Sequence, residues 1–253
     1  MTRVRHGSDQ GMKGMLVRMG MATMTIAMMV PGNIAAAQLG RRTDDRAADP
    51  YGSSSADVAR LRAADVAGVR LGMVPDQAKA ALRAAGYSPA PSMLYKERPD
   101  VKEGHDYATR VDSVRRERLR DFTFQKVGRV VTSETWRKGD EQVQVGYVPF
   151  RDGIQVSDVR YTVPEGRTSW PAMKASVIGK YGQPTRVSEF NRQIRYCGDG
   201  ECALVGTGPH ARLELTGAWQ LLLSDGGAGE RLSARQAAED ADRSIAKTAK
   251  PTF

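Results

Sequence analysis

Cys197 and Cys202 stand in YCGDGECAL with four residues between them. In an oxidising compartment such a pair forms a disulfide. Gly198, Asp199 and Gly200 are turn formers, so the expectation is a hairpin stapled across its own loop. A redox motif would space its cysteines by two residues instead. The closed loop is short, and chain entropy assigns the staple about 2 kcal/mol at most.

Histidine offers little chemistry. His105 in KEGHDYA has only Asp106 beside it, and His210 follows Gly208-Pro209. Neither has partners at metal-ligand spacing, so both read as loop residues. No serine sits in a Gly-x-Ser-x-Gly elbow. GTGPHA lacks the lysine and the strand-loop-helix setting of a phosphate loop. Carboxylate pairs occur only in turns. The expectation is a non-enzymatic chain with no catalytic residues, no cofactor and no metal.

What remains is recognition chemistry. Trp136, Tyr147, Trp170 and Trp219 either fill cores or, on an open sheet face, anchor a partner. Arg115 and Arg116 belong to a set of five arginines from Arg110 to Arg120. Such a run forms a solvated helix face or a surface for an anionic partner.

These residues need elements to hold them. From Asp65 the sequence reads DVAGVRLGMVPDQAKAALRAAGY. Pro75 suits the first helical position, Ala78, Ala81, Leu82 and Ala85 share one helix face, and Gly86 stops it. The face is alanine-rich, so this helix must lie close to its partner. Ahead of it, Ser55 is placed to cap a short helix carrying Val58 and Leu61. Tyr107, Val111 and Val114 recur at helical spacing, and Met93-Leu94-Tyr95 reads as a short strand. From Val130 the period becomes two. VVTSETW, QVQVGYV and IQVSDVRYTV form a meander joined at Lys138-Gly139-Asp140 and Arg151-Asp152-Gly153, with a bulge between Val156 and Val159. WPAMKASVIGKY is again helical, with Trp170, Met173 or Lys174, Val177 and Tyr181 on one face, stopped by Gly182. Strands follow from Arg186, through ECALVG and ARLELTG, to AWQLLL, which reads as a central strand. Ser233 with Gln236 forms a capping box for a last helix of small-residue face, too small for strong docking. Superposing Gly86 on Gly182 brings Pro75 onto Pro171, an echo that suggests two copies of one helix-plus-meander unit.

The ends bound the setting. Arg3, Arg5, Lys13 and Arg18 precede an uncharged apolar run, Met19 to Val30, and Ala35-Ala36-Ala37 supplies small residues for cleavage. The run is shorter than the roughly 20 residues a membrane span needs. Residues 1–37 therefore read as a signal peptide cut after Ala37, with Met12 a second candidate start, and no cysteine follows to carry lipid. Residues 38–55 are polar and expected to be disordered. Removing the leader's four basic and one acidic residue from 38 and 29 leaves 34 and 28, a net of +6. That charge favours anionic membrane or cell-wall surfaces, while export leaves no role for nucleic acid.

The stretch DVAGVRLGMVPDQAKAALRAAGYSP resembles the N-terminal motif of the SmpA/OmlA-type outer-membrane-assembly lipoproteins. The residues that carry it are Asp65-Val66-Ala67, Arg70-Leu71-Gly72-Met73, Gln77, Ala81-Leu82, Gly86 and Pro89. The strands from Gln142 to Tyr161 are similar to that family's strand pair. The resemblance implies helices packed on a three-stranded antiparallel sheet, an architecture that beta-lactamase inhibitory proteins carry in tandem.

The expected fold is thus α+β: two tandem units of short helices on antiparallel three- to four-stranded sheets. The first unit spans 56–164 and the second, with the disulfide, 165–228; a helix and tail fill 229–253. The expected function is that of an exported protein, periplasmic or secreted. It would bind an envelope protein, in connection with outer-membrane assembly or integrity. An enzyme inhibitor presenting a tandem sheet face lined by Tyr147, Trp136 and Trp219 is the first alternative. A hydrolase or redox enzyme, with His105 or His210 beside a carboxylate in a pocket, is the second.

Overall fold

The structure is a computed structural model, and it describes residues 56–123, 127–164, 166–197, 210–213 and 219–248. The fold is α+β. Two short helices come first, α1 (Ala56–Ala63) and α2 (Pro75–Ala84), then β1 (Ser88–Pro89), β2 (Val101–His105) and α3 (Tyr107–Leu119). The meander β3 (Arg129–Lys138), β4 (Glu141–Phe150) and β5 (Gly153–Val163) follows. After α4 (Trp170–Tyr181) come β6 (Arg186–Ser188), β7 (Gln193–Cys197), β8 (His210–Leu213), β9 (Trp219–Ser224) and α5 (Ala228–Thr248).

The strands make one antiparallel sheet in the order β1-β3-β4-β5-β9-β8-β7-β6, with β2 also on β3. The last strand of each half, β5 and β9, pairs with the other, from Asp158↔Ser224 to Val163↔Trp219. The two expected units therefore share one sheet, and residues of both halves enter one core. The sequence places β9 centrally, and it lies between β5 and β8. The bulge falls where the valine spacing slips: Gly146 faces Asp158 and Tyr147 faces Val156, leaving Ser157 extra. Space at Gly146 is taken by the Asp158 carboxylate, which a Cβ there would overlap at 2.0 Å.

Alternation sorts the side chains into two faces. Val143, Val145 and Tyr147 of β4, Trp136 of β3, and Val156 and Val159 of β5 form a core with Leu61, Ala78 and Leu82 from α1 and α2 and Val177 from α4. α2 begins as the proline predicts, with extended Val74 before it and no side-chain cap. Gly86 follows at φ 86°. The segment before α2 docks by backbone, Gly72 N donating to Val156 O (2.9 Å) and Val156 N to Met73 O (2.8 Å).

The alternate residues meet α5. Gly229 approaches Phe150 so closely that a Cβ would lie 3.2 Å from its ring. Ala237 and Ala241 are buried, and the Ser233 hydroxyl, fully buried, donates to Pro149 O. Two expectations are corrected here. Ser233 is not a cap, because α5 starts at Ala228 with Asp225 accepting from Gly227 N and Gly229 N at 2.8 Å each. The small face docks firmly, since small residues let the backbone approach the sheet. A third correction concerns Met93-Leu94-Tyr95, which is an exposed turn, not a strand.

Candidate functional site

The expected aromatic anchors divide sharply. Trp136 is 1 % exposed and Tyr147 4 %, both sealed beneath α2, so neither offers a surface to a partner. The pair expected to line an open sheet face is instead core, because α2's small residues lie directly on it. The Tyr147 hydroxyl donates to buried Glu134, whose other oxygen lies 3.8 Å from Lys79 Nζ on α2. Burial, then the Glu134 carboxylate, pushes the Tyr147 phenol well up from its usual range. The guanidinium of Arg83 sits 5.6 Å above the Trp136 ring.

Trp170 and Trp219 are half-buried and stack, with centroids 6.1 Å apart and planes 11° from parallel. Trp219 Nε1 donates to Thr168 O (3.0 Å), and Trp170 Nε1 to Glu189 Oε2 (2.6 Å), while Lys174 pairs with the other oxygen of Glu189. These bonds fix both indoles, and Trp219 turns one side to open space.

That space is a cleft of about 260 Å³ above the β5–β9 seam. Tyr161 and Leu221, paired across the seam, form its floor with Gln220. Its walls come from Val66 and Ala67, from Tyr87 beyond α2, from Met173, Val177 and Tyr181 of α4, and from Trp219. Ser176 and Lys180 edge it. The turn at Ala67-Gly68 has φ of 53° and 82°, closing Val66 on Val69 by reciprocal 2.9 Å bonds. Gly68 adopts this readily; Ala67 does so against its Cβ, a local strain at the cleft wall.

The rim is polar but internally paired. Tyr87 OH donates to Glu141 Oε2 (2.9 Å), and Arg167 bridges Glu141 (3.2 Å) and Asp140 (2.7 Å). Tyr181 OH donates to Asp65 O (2.6 Å), and Lys180 Nζ meets the Asp65 carboxylate at 3.1 Å. Burial, then the charge of Glu141, pushes the Tyr161 phenol up to about 12. Burial raises Tyr181 further, with Asp65 adding to it. At neutral pH the cleft thus presents uncharged phenols. The sequence puts Tyr161 in an alternating strand and Tyr181 on a helix face and gives Tyr87 no role; their convergence needs the β5–β9 pairing, for which no local signal exists.

The arginines of α3 each have a charge partner. Arg115 and Arg116 are half-buried and reach Asp112 at 3.3 and 2.8 Å; Arg116 also donates to Thr123 O. Arg110 pairs with Glu230 and Arg118 with Asp242 of α5. Tyr107 OH and Arg151 both donate to Asp240, at 2.7 and 2.8 Å. The helix is thus stitched to α5, not held open for an anion.

His105 is exposed at the end of β2, and the adjacent Asp106 is occupied in capping α3 through Thr109 N. His210 opens β8 in register with Cys197. Cys197 is buried, while Cys202 lies outside the described residues, as do the expected ECALVG strand, the signal peptide and the 38–55 segment. Among the described residues no three His, Cys, Asp or Glu side chains group as for a metal. No helix among them is long and apolar enough to cross a membrane. No protein family, curated protein or solved structure matches the chain.

Proposed function

We infer that this chain is an exported, non-enzymatic binding module of the cell envelope, and that it receives an apolar side chain of a partner protein in the cleft above the β5–β9 seam. The observation that carries the reading is the convergence of four aromatic rings, Tyr87, Tyr161, Tyr181 and Trp219, on one cleft. Its volume argues for an anchor residue over a free small molecule. Drug-sized ligands use clefts of about 300–1,000 Å³, and interface hot spots are aromatic anchors seated in well-packed, desolvated pockets. The rim supports the same reading: its charges are already paired, so an incoming apolar group strips no lone charge of water. The leader supports export, and the SmpA/OmlA resemblance of Asp65–Pro89 supports a place in outer-membrane assembly or integrity.

A photo-reactive phenylalanine analogue at Ser176, on the cleft edge, tests this in living cells. It should form an adduct with one envelope protein, and Met173→Arg should abolish that adduct while leaving the circular dichroism spectrum intact. A control probe at Arg235, exposed on α5, should give none. No adduct at Ser176, or one indifferent to Met173→Arg, would refute the reading.

A further inference from the structure

The segment between β1 and β2 does not rest on the cleft and is outside the motif that carries the family resemblance. It leaves β1, on the edge of β3 opposite β4, as PSMLYKERP and returns to that edge in β2. Pro91 and Pro99 face one another across an antiparallel bridge. Ser92 N donates to Arg98 O (2.7 Å), Arg98 N to Tyr95 O (2.9 Å), and Asp100 N to Ala90 O (2.7 Å). The Ser92 hydroxyl accepts from Leu94 N and Tyr95 N, at 3.2 and 3.4 Å. The loop is therefore a closed, internally bonded tip.

At its apex three consecutive large apolar residues face solvent: Met93 at 91 % exposure, Leu94 at 85 % and Tyr95 at 63 %. A core does not explain them, and water does not reward them. Two cations follow. Lys96 and Arg98 are exposed, and the Arg98 guanidinium lies 5.4 Å above the Tyr95 ring. Glu97 between them leaves the tip one positive charge in excess. The order of types is apolar apex, amphipathic aromatic, then cations, which is the order of environments met on crossing from acyl chains through the headgroups to phosphate.

We propose that the Ser92–Arg98 tip inserts into the surface of a bilayer containing anionic phospholipid. Met93 and Leu94 enter the acyl boundary, Tyr95 lies at headgroup depth, and Lys96 and Arg98 meet lipid phosphates. The tip is already shaped, so docking does not have to order it first. A small apex and few cations give reversible, salt-sensitive attachment, since even a single acyl chain binds only marginally.

Vesicle flotation of the chain from Gln38 onward tests this, with phosphatidylcholine alone and with equal parts phosphatidylcholine and phosphatidylserine. Binding to the mixed vesicles is expected, and Met93→Ser with Leu94→Ser should weaken it about tenfold or more. Lys96→Ala with Arg98→Ala should erase the preference for the anionic mixture. Leu94→Trp should show blue-shifted emission that brominated acyl chains quench. Absence of binding, binding driven by net charge that the serine pair leaves unchanged, or an unquenched Trp at 94 would each overturn the proposal. A tip that serves a protein partner instead would give the first of these.

Discussion

α2 and α4 start and stop alike and do opposite things. Each follows an extended residue, Val74 or Ser169, and carries proline in its first turn. Each is closed by a glycine of positive φ, Gly86 at 86° and Gly182 at 80°. Their inner faces differ in size. α2 presents Ala78, Ala81, Leu82 and Ala85, and Ala78 and Leu82 are completely buried. It lies so near the Asp65–Val69 turn that a Cβ on Gly68 would be 3.4 Å from Ala81 Cβ. α4 presents Trp170, Met173, Val177 and Tyr181, of which only Val177 is buried. Large side chains hold α4 away from the seam, and the gap is the cleft. One frame thus makes a sealed half and an open half, and side-chain volume decides which.

The strongest way to break this contrast is to truncate both faces. Leu82→Ala leaves a cavity in packed surroundings and should cost about 2–5 kcal/mol. Met173→Ala only enlarges a space that is already open, and should cost less than about 1 kcal/mol. Urea denaturation of both variants gives the ratio. Equal losses would mean that α4 is packed as tightly as α2, and the cleft would lose its physical basis.

A finer contrast uses two tyrosine–carboxylate pairs. Tyr147→Phe strips buried Glu134 of its phenolic donor and leaves Lys79 at 3.8 Å. An unsatisfied buried carboxylate of this kind should cost about 1–3 kcal/mol. Tyr87→Phe leaves Glu141 its bond to Arg167, with water at the rim, and should cost less than about 1 kcal/mol. If the Tyr87 variant proves the weaker protein, the rim is drier than its exposure indicates.

The open half also holds Cys197. Mass spectrometry after alkylation without reductant should find neither Cys197 nor Cys202 modified in chain taken from an oxidising compartment. Cys197→Ala should then lower stability by about 2 kcal/mol at most, because the loop that the expected disulfide would close is short. Two alkylated thiols would remove the staple from the account.

Local signals carried most of the elements. Proline and glycine bounded α2 and α4, the period-two runs marked β3 to β5, and the slipped valine spacing located the bulge at Ser157. What local signals missed is set by long-range contact. Trp136 and Trp219 sit in similar alternating strands, and only the helix above each decides that one is core and the other a cleft wall. Ser233 with Gln236 mimics a cap, but the buried carbonyl of Pro149 claims the serine, and Arg151 N donates to Gln236. The arginines of α3 look solvent-facing until α5, more than a hundred residues later, brings Glu230, Asp240 and Asp242 beside that helix and Arg151. The cleft itself depends on β5 meeting β9, a pairing that neither strand announces.

The smallest effect at neutral pH bears most directly on how dry the cleft is. Tyr161 on its floor has a phenol raised to about 12, against an ordinary value near 10. A raised native value means that the neutral phenol is the form the fold favours. The stability this contributes is complete below about pH 10, and it fades as pH climbs from there toward 12. The urea midpoint of the native chain should therefore fall across that window, and Tyr161→Phe should flatten part of the fall while leaving the neutral-pH value nearly unchanged. Phenolate absorbance should lose one component titrating near pH 12 in the same variant. Were position 161 to titrate near 10 with the fold intact, water would already fill the floor between β5 and β9, and an apolar anchor would gain little by displacing it.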